Sequence, residues 1–456
     1  MADGGVSRPS GAGLTAAFDA ALHRCLDRRY TDRRSPDGQS PDGQSPDGDA
    51  GRHLPPPLFT ALSGGADSTA LACLARDYAA KRGLQHTALI VDHGIRSDSA
   101  DEARRVAARM RHLGVAVEIL TVDEPAPQTG IQAWARQQRY RLMLARVHRA
   151  GGCLLLGHHA GDQAETLVMR LSRGSGLAGL AAMTPVTWRA GTMILRPLLD
   201  MGRQALVDHC RARNADFEDD PSNHDHRFER VRVRAMLAAL EDDGIAMSGQ
   251  LSRLARAAGA IDTVLLRALA DSGHLPAVQP SGHVLLPAGI AALPVTITAR
   301  LLAHVIGQIG RPTPPPATTA LRHLAGRLAA GRAATLGGAR FARHADGWLV
   351  TAEIGRCPPR LNVRAGDRVV FAGMWEITSP MDAVIRHLGA AGSGATGDAA
   401  VTPGWCALPS LVRRAMPVLE TLDGAVTYPH LRMYDMCDEV TVAATARFLP
   451  LPAYHY

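Results

Sequence analysis

Six consecutive residues near the start of the chain carry the clearest chemical signal, Ser63-Gly64-Gly65-Ala66-Asp67-Ser68. An apolar run from Leu58 precedes them and a helical pattern follows, so the sequence predicts a strand, a tight turn and a helix start. This geometry points several backbone N–H groups at one anion, and glycines let the backbone approach a phosphate closely. Asp67 fits beside a phosphate when a cation lies between them. The segment therefore predicts a phosphate-binding loop with a magnesium-binding carboxylate.

A second polar group follows a later predicted strand, His159-Ala160-Gly161-Asp162-Gln163-Ala164-Glu165-Thr166. On a helix, Asp162, Glu165 and Thr166 share one face. Across the crevice of a sheet, Asp162 could join Asp67 in holding Mg²⁺ on a triphosphate. The alternative for both segments is structural, because Ser and Asp also cap helices and acids are favoured in the first helical turn.

Other kinds of site are disfavoured by the sequence. A Walker loop needs a lysine after its glycines, and Lys81 is the only lysine in the chain. The GxGxxG match at 174–179 follows a predicted helix instead of a strand, so a mobile glycine loop is the better interpretation. The cysteines are scattered without a Cys-x-x-Cys pair, which is typical of a reduced, cytoplasmic protein and disfavours a zinc site.

The elements that must position these residues alternate between strand and helix. Runs with β-propensity begin at Leu58, His86, Val115, Cys153 and Met193, and helical patterns separate them. Such alternation predicts βαβ units and a parallel sheet. Ligands of these sheets bind at the carboxyl ends of the strands, where both polar segments lie.

Composition divides the chain into four segments. Residues 1–52 hold a short helix and a Ser-Pro-Asp-Gly-Gln repeat at 35–48 that cannot form a core, so we interpret this segment as a disordered linker. Residues 53–233 carry the strand–helix alternation, residues 234–355 are mainly helical, and residues 356–456 read as short strands and turns.

The charge of the whole chain bears on its partners. A net charge of +7 and a pI of about 9.3 favour a polyanionic partner, although an arginine-rich composition can also reflect coding bias. No apolar run approaches the roughly 20 residues of a membrane span, so no membrane partner is expected.

Several segments together carry a family resemblance. Residues 63–68 resemble the SGGxDS signature of the PP-loop, or N-type, ATP pyrophosphatases, which cleave ATP between the α and β phosphates. The remaining segments are similar to the tRNA(Ile)-lysidine synthetase family within that superfamily. They are the 159–166 segment, Arg173-Gly174-Ser175-Gly176-Leu177, Asp92-His93-Gly94-Ile95-Arg96, Ala135-Arg136, Arg139-Tyr140, Arg196-Pro197-Leu198-Leu199 and Asp220-Pro221-Ser222-Asn223.

The resemblance implies an α/β fold, with a parallel-sheet PP-loop ATPase domain, a helical tRNA-binding domain and a small α+β C-terminal domain that also binds tRNA. It implies that ATP adenylates the wobble cytidine in the CAU anticodon of tRNA(Ile) with the help of Mg²⁺. L-Lysine then displaces AMP to form lysidine, in the cytoplasm. The oligomeric state stays open, with a homodimer as one candidate.

The resemblance also implies roles for individual residues. Residues 63–68 would bind ATP, and Asp67 and Asp162 would hold Mg²⁺. The other implied residues are His159 and Arg136, which would join Asp67 and Asp162 in catalysis, and Asp92, His93, Arg96, Glu165 and Arg196, which would contact the substrates. His159 and Asp162 are both candidates to deprotonate the lysine amine.

Two positions depart from the family pattern. Gly161 stands where the family has the first of two paired acids, and Val231 stands where the family has Asn between two arginines. A catalytically weakened tRNA-binding homologue is therefore one alternative. A PP-loop tRNA thiolase is another, which the absence of cysteine pairs disfavours.

Overall fold

The computed structural model describes residues 11–32, 56–95, 98–218, 227, 229–311, 315–355, 359–389, 407–421, 424, 426–428 and 445–448. The repeat at 35–48 lies outside this part of the chain. Backbone contacts divide the chain into two compact units, Met1–Arg173 with Gly179–Gly259, and Gly174–Ala178 with Ala260–Tyr456. The four segments inferred from composition remain a prediction.

A six-stranded sheet forms the centre of the first unit, in the order β3-β2-β1-β4-β6-β5. All neighbouring pairs are parallel except β5 and β6, which are antiparallel. The predicted parallel α/β sheet is confirmed, whereas the edge strand β5 was missed. The strands are β1 (Leu58–Ala61), β2 (His86–Asp92), β3 (Val117–Thr121), β4 (Cys153–Leu155), β5 (Val186–Arg189) and β6 (Thr192–Leu195).

Helices cover both faces of this sheet, and its central strands β1, β4 and β6 are buried along most of their length. Successive side chains of β1 point to opposite faces, so Leu58 packs with Leu71 and Leu74, while Phe59 packs with Met143 and other residues of the opposite face. The helices of this half of the chain are α1 (Gly11–Asp32), α2 (Ala66–Arg82), α3 (Ser99–His112), α4 (Ile131–Arg149), α5 (Ala160–Ser172), α6 (Leu177–Leu180), α7 (Arg203–Ala212), α8 (Glu229–Asp242) and α9 (Met247–Asp271).

The second unit combines helices with small antiparallel sheets. Its described strands pair in three sheets, ordered β7-β10-β9-β8, β11-β14-β15-β16 and β12-β13-β17. The helices are α10 (Val295–Ile309), α11 (Thr318–Ala329) and α12 (Ser410–Ala415), with a 3-10 helix at Ala288–Ala292. The strands are β7 (Val284–Leu286), β8 (Ala334–Leu336), β9 (Ala339–His344), β10 (Gly347–Ala352), β11 (Leu361–Val363), β12 (Arg368–Phe371), β13 (Trp375–Thr378), β14 (Ala383–His387), β15 (Pro417–Glu420), β16 (Val426–Thr427) and β17 (Thr445–Phe448).

Large apolar side chains form the core of the second unit. Phe341, Phe371 and Trp375 are almost fully buried there. One buried ion pair ties two of its helical segments, because Arg300 Nε donates to Asp262 Oδ1 at 2.5 Å. Among the described helices, none has the length and apolar character needed to cross a membrane.

Candidate active site

The turn after β1 is fixed by hydrogen bonds among its own residues. The backbone N–H of Ser63 donates to Ser68 Oγ at 3.2 Å, and Ser68 Oγ donates to the carbonyl oxygen of Gly65 at 3.0 Å. Gly64 has φ +87°, and a Cβ on it would lie 3.0 Å from Val106 Cγ2. Both the backbone angle and the close approach therefore require glycine at this position.

Helix α2 begins directly after this turn without a side-chain cap. Its N-cap residue is Gly65, which has no side chain to accept from the first N–H groups. Uncapped N–H groups at a helix N-terminus are donors for an anion, and the helix dipole favours negative charge there. The predicted phosphate site thus has suitable backbone geometry, and the alternative in which Ser or Asp caps α2 does not describe this turn.

The end of β4 lies against the start of α2. A Cβ on Gly157 would lie 3.3 Å from the carbonyl carbon and oxygen of Asp67 and 3.4 Å from the backbone nitrogen of Ser68. A side chain at residue 157 would press on this backbone, so glycine lets the chain after β4 pass directly beside the phosphate loop. The structure therefore brings together the two polar segments that the sequence singled out.

His159 is the N-cap residue of α5 and closes a reciprocal capping arrangement. Its backbone N–H donates to Asp162 Oδ2 at 2.9 Å, and its ring Nδ1 accepts from the backbone N–H of Gly161 at 3.0 Å. A ring nitrogen that accepts carries no proton, so the neutral ring has its proton on Nε2. This Nε2 lies 3.7 Å from Asp67 Oδ2 and 3.6 Å from Asp162 Oδ2.

Asp67 has a carboxylate oxygen that is available to bind a ligand. Its Oδ1 is buried and accepts no hydrogen bond from any described residue. Burial raises the pKa of Asp67, and attraction from His159 and Arg203 only partly opposes that effect. A buried, unpaired carboxylate oxygen is costly unless a ligand meets it, which marks Asp67 as a functional candidate.

Asp162 and Glu165 are paired with two arginines of α8. Arg230 donates to Asp162 Oδ1 at 2.6 Å and to Glu165 Oε2 at 2.5 Å, and Arg234 Nε donates to Glu165 Oε1 at 2.6 Å. Burial by itself raises the pKa of Asp162, but attraction from His159 and Arg230 outweighs it and holds that pKa below its ordinary value. The acidic face of α5 is thus neutralised by its neighbour.

The sequence predicted the acidic face of α5 without its partners. Arg230 and Arg234 lie one helical turn apart, which matches the spacing of Asp162 and Glu165 on α5. That complementary spacing was visible in the sequence, but nothing in the sequence showed that α5 and α8 pack together.

The predicted Mg²⁺ site can be tested against the donors present. No group of three or more His, Cys, Asp or Glu side chains in the described residues could hold a metal by itself. Mg²⁺ on a triphosphate needs only one or two carboxylates, because phosphates and water supply the other ligands. Asp67 fits through its free Oδ1, whereas both oxygens of Asp162 already accept hydrogen bonds.

The predicted substrate residues at the end of β2 have local partners. Asp92 Oδ1 accepts from the backbone N–H of Gly94 at 3.0 Å and from Ser99 Oγ at 2.7 Å, so this carboxylate holds the turn after β2. The His93 ring centroid lies 6.4 Å from that of Trp134 on α4. Arg96 lies outside the described residues.

The remaining two predicted arginines lie near Tyr140. The guanidinium carbon of Arg136 is 5.3 Å from the ring centroid of Tyr140, within cation–π range. Arg196 is largely buried, and its Nη1 donates to Thr184 O at 2.9 Å and to Thr187 Oγ1 at 2.7 Å. Burial lowers the pKa of Arg196, and the positive charge of Arg136 acts in the same direction.

Comparison with known proteins identifies the family. A family model described as a PP-loop domain matches residues 54–241. The tRNA(Ile)-lysidine synthase of Bradyrhizobium diazoefficiens is 37% identical over 339 residues, which cover 69% of this chain and 92% of that protein. The chain belongs to the tRNA(Ile)-lysidine synthase family. The tRNA(Ile)-lysidine synthase of Ruegeria pomeroyi is 35% identical over 351 residues, covering 74% of this chain and 81% of that protein.

Likeness among solved structures is weaker. The U34-tRNA thiolase NcsA from Methanococcus maripaludis shares 16% identity and a TM-score of 0.38, covering 53% of this chain and 78% of that chain. At that score the likeness supports no conclusion about activity. The superfamily predicted from residues 63–68 and the lysidine synthase family predicted from the later segments are both confirmed by the sequence relatives.

Proposed function

We propose that this chain ligates L-lysine to C2 of the wobble cytidine in the CAU anticodon of tRNA(Ile), and that it converts ATP to AMP and diphosphate in doing so. One observation carries the proposal: in a chain of this family, the uncapped start of α2 with Asp67 lies directly beside His159 and Asp162. Because ATP, lysine and tRNA meet in the cytoplasm, we place the reaction there.

The first step activates the base. The cytidine O2 attacks the α-phosphorus of ATP, the bond to the bridging oxygen of the β-phosphate breaks, and diphosphate leaves. The N–H groups at the start of α2 would bind the phosphates, since no side chain caps them, whereas the Ser68 hydroxyl would first have to release the carbonyl oxygen of Gly65. Mg²⁺, when bound, would neutralise charge on the departing diphosphate, and Asp67 is the residue suited to hold it.

The second step replaces the activated oxygen. The ε-amine of lysine attacks C2, the C2–O2 bond breaks, and AMP leaves with the former O2. The amine must first lose a proton, because the ordinary pKa of lysine is about 10.4. Of the two candidate bases, His159 has Nδ1 engaged with Gly161, and Asp162 has both oxygens engaged. His159 would have to release the Gly161 N–H before Nδ1 could accept a proton, whereas each oxygen of Asp162 keeps a second lone pair.

The RNA must present an unstacked base to this site. A flipped cytidine is held by stacking and by arginines that bind the flanking phosphates. Arg136 and Arg139 on the exposed side of α4 are suited to that role, and the basic pI of the chain favours an RNA partner. These contacts, the lysine site and a homodimer remain predictions.

The decisive assay mixes the purified full-length chain with ATP, labelled lysine and a tRNA(Ile) transcript. We expect label in the tRNA and one AMP per lysine incorporated. Asp67→Asn should abolish both products, while Asp101→Asn, which removes only an exposed carboxylate of α3, should leave them unchanged. Binding of tRNA without incorporation by the unaltered chain would contradict the proposal and support the weakened homologue.

A further inference from the structure

The His159 ring lies against Gly161, in space that a side chain at residue 161 would occupy. A Cβ on Gly161 would lie 2.8 Å from Cε1 and 3.1 Å from Nδ1 of His159. The shorter separation is inside van der Waals contact, so a Cβ at residue 161 would require the His159 ring to leave the position that it has in this chain. We propose that Gly161 is a positioning residue, which holds His159 in the tautomer that directs its Nε2–H toward the carboxylates of Asp67 and Asp162.

The tautomer follows from one hydrogen bond. The backbone N–H of Gly161 can only donate, and it lies 3.0 Å from His159 Nδ1. Nδ1 must therefore present its lone pair, which leaves the proton of the neutral ring on Nε2. His159 is only 5% exposed, so water competes little for this bond. The same glycine thus supplies both the donor and the space.

In this tautomer the protonated Nε2 faces the carboxylates of Asp67 and Asp162. Nε2 is about equally far from the two carboxylates, 3.7 Å from Asp67 Oδ2 and 3.6 Å from Asp162 Oδ2. Two carboxylates that share one site repel each other, and a donor between them relieves that repulsion.

Other charges face the same carboxylates, and they do not replace the ring. Arg203 and Arg234 attract Asp67 through space, whereas Arg230 bonds Asp162 at its other oxygen, Oδ1. His159 is the described side chain within 4 Å of the Oδ2 atoms of both acids. In the proposed reaction its role is to donate toward Asp67 and Asp162 and keep them in place, and it does not take the proton of lysine.

The test separates position from activity. Histidine side-chain ¹⁵N NMR on the full-length chain, without substrates, reports the tautomer, and the His159→Ala variant assigns the signal. We expect Nε2–H with unprotonated Nδ1 in the unaltered chain, and loss of that signature in Gly161→Ala. The matched control is Gly249→Ala, since Gly249 also lies in a first helical turn and a Cβ there meets nothing within 4 Å.

Activity gives the second readout. Gly161→Ala should slow lysine incorporation more than about tenfold, because a misplacement of about 1 Å in the groups that His159 holds in position can cost about 10²-fold in rate. The same substitution added to His159→Ala should change the rate less than about twofold, since a residue that acts only through the ring has nothing left to position. Gly249→Ala should match the unaltered chain in both readouts.

Three results would overturn the inference. One is an Nδ1–H tautomer of His159 in the unaltered chain, which needs no variant to fold. Another is a Gly161→Ala chain whose His159 signal and rate are unchanged. The third is an equal loss of rate from Gly161→Ala with and without His159. If the unaltered chain incorporates no lysine, the proposed function fails, yet the tautomer measurement still decides the role of Gly161.

Discussion

Replacing Glu165 by Gln should reveal how much the pairing of α5 with α8 stabilises the first unit. The Glu165 side chain is only 4% exposed and accepts charged hydrogen bonds from Arg230 and Arg234, whose side chains are each 39% exposed. The substitution keeps the shape of the side chain and removes its charge, so both guanidinium groups lose their shared anion.

The expected cost follows from these exposures. Removing one partner of a fully buried ion pair costs about 3–5 kcal/mol. Because the arginines are partly exposed, water can rehydrate them, and we expect a loss of about 2–3 kcal/mol in the free energy of unfolding. For a unit of this size that corresponds to a melting temperature lower by about 4–12 °C.

A neighbouring ion pair supplies the matched control. Glu229 on α8 pairs with Arg173 just beyond α5, and these side chains are 38% and 59% exposed. Glu229→Gln should therefore cost less than about 1 kcal/mol. Urea denaturation followed by circular dichroism measures both variants, and the unfolding transition of the first unit is the one to compare.

Two outcomes would refute this reasoning. If Glu165→Gln unfolds at the same urea concentration as Glu229→Gln, the buried pairs do not stabilise the packing of α5 on α8. If Glu165→Gln keeps its stability and instead raises the KM for lysine, Glu165 is the substrate-binding residue that the family resemblance implied.

Three further predictions concern the loop, Asp67 and the buried histidines. Gly64→Ala should lower stability by about 1–2 kcal/mol and weaken ATP binding measured by calorimetry, whereas Gly65→Ala, at φ −75°, should cost less. Asp67→Asn should raise the melting temperature at pH 7.5. The pKa of Asp67 is higher in the folded than in the unfolded chain, so the ionised carboxylate destabilises the fold once the pH exceeds the folded-state pKa. An unchanged or lower melting temperature would contradict this prediction. Stability should fall as the pH drops from 6.5 toward 4, because buried histidines with a lowered pKa bind protons only after unfolding. Each such histidine lowers the free energy of unfolding by up to about 1.4 kcal/mol per pH unit. Melting temperatures that stay level across this range would refute the prediction. Those histidines include His86 and His209, with a pKa of about 4, and His304, with a pKa of about 3.

The sequence predicted the strand–helix alternation because each element carries its own periodicity and its own turn residues. Helix α4 was predicted with the bounds that the structure has, and the start of β1 was predicted at Leu58. Strand β5 was missed, because four partly polar residues at a sheet edge have no clear alternation. Glycines 64 and 65 fixed the loop locally, since backbone freedom is a property of the residue itself.

Only the tertiary structure decided which partners the charged residues have. The sequence predicted that Asp67 and Asp162 together hold the metal, whereas the fold leaves Asp67 Oδ1 unpaired and engages both oxygens of Asp162. The fold also pairs Glu165 with Arg230 of α8. It places the His159 ring where a side chain at residue 161 would lie, which the sequence around Gly161 does not show. A carboxylate's chemistry depends on the charges and donors within a few ångströms, and residues distant along the chain supply those once the helices pack.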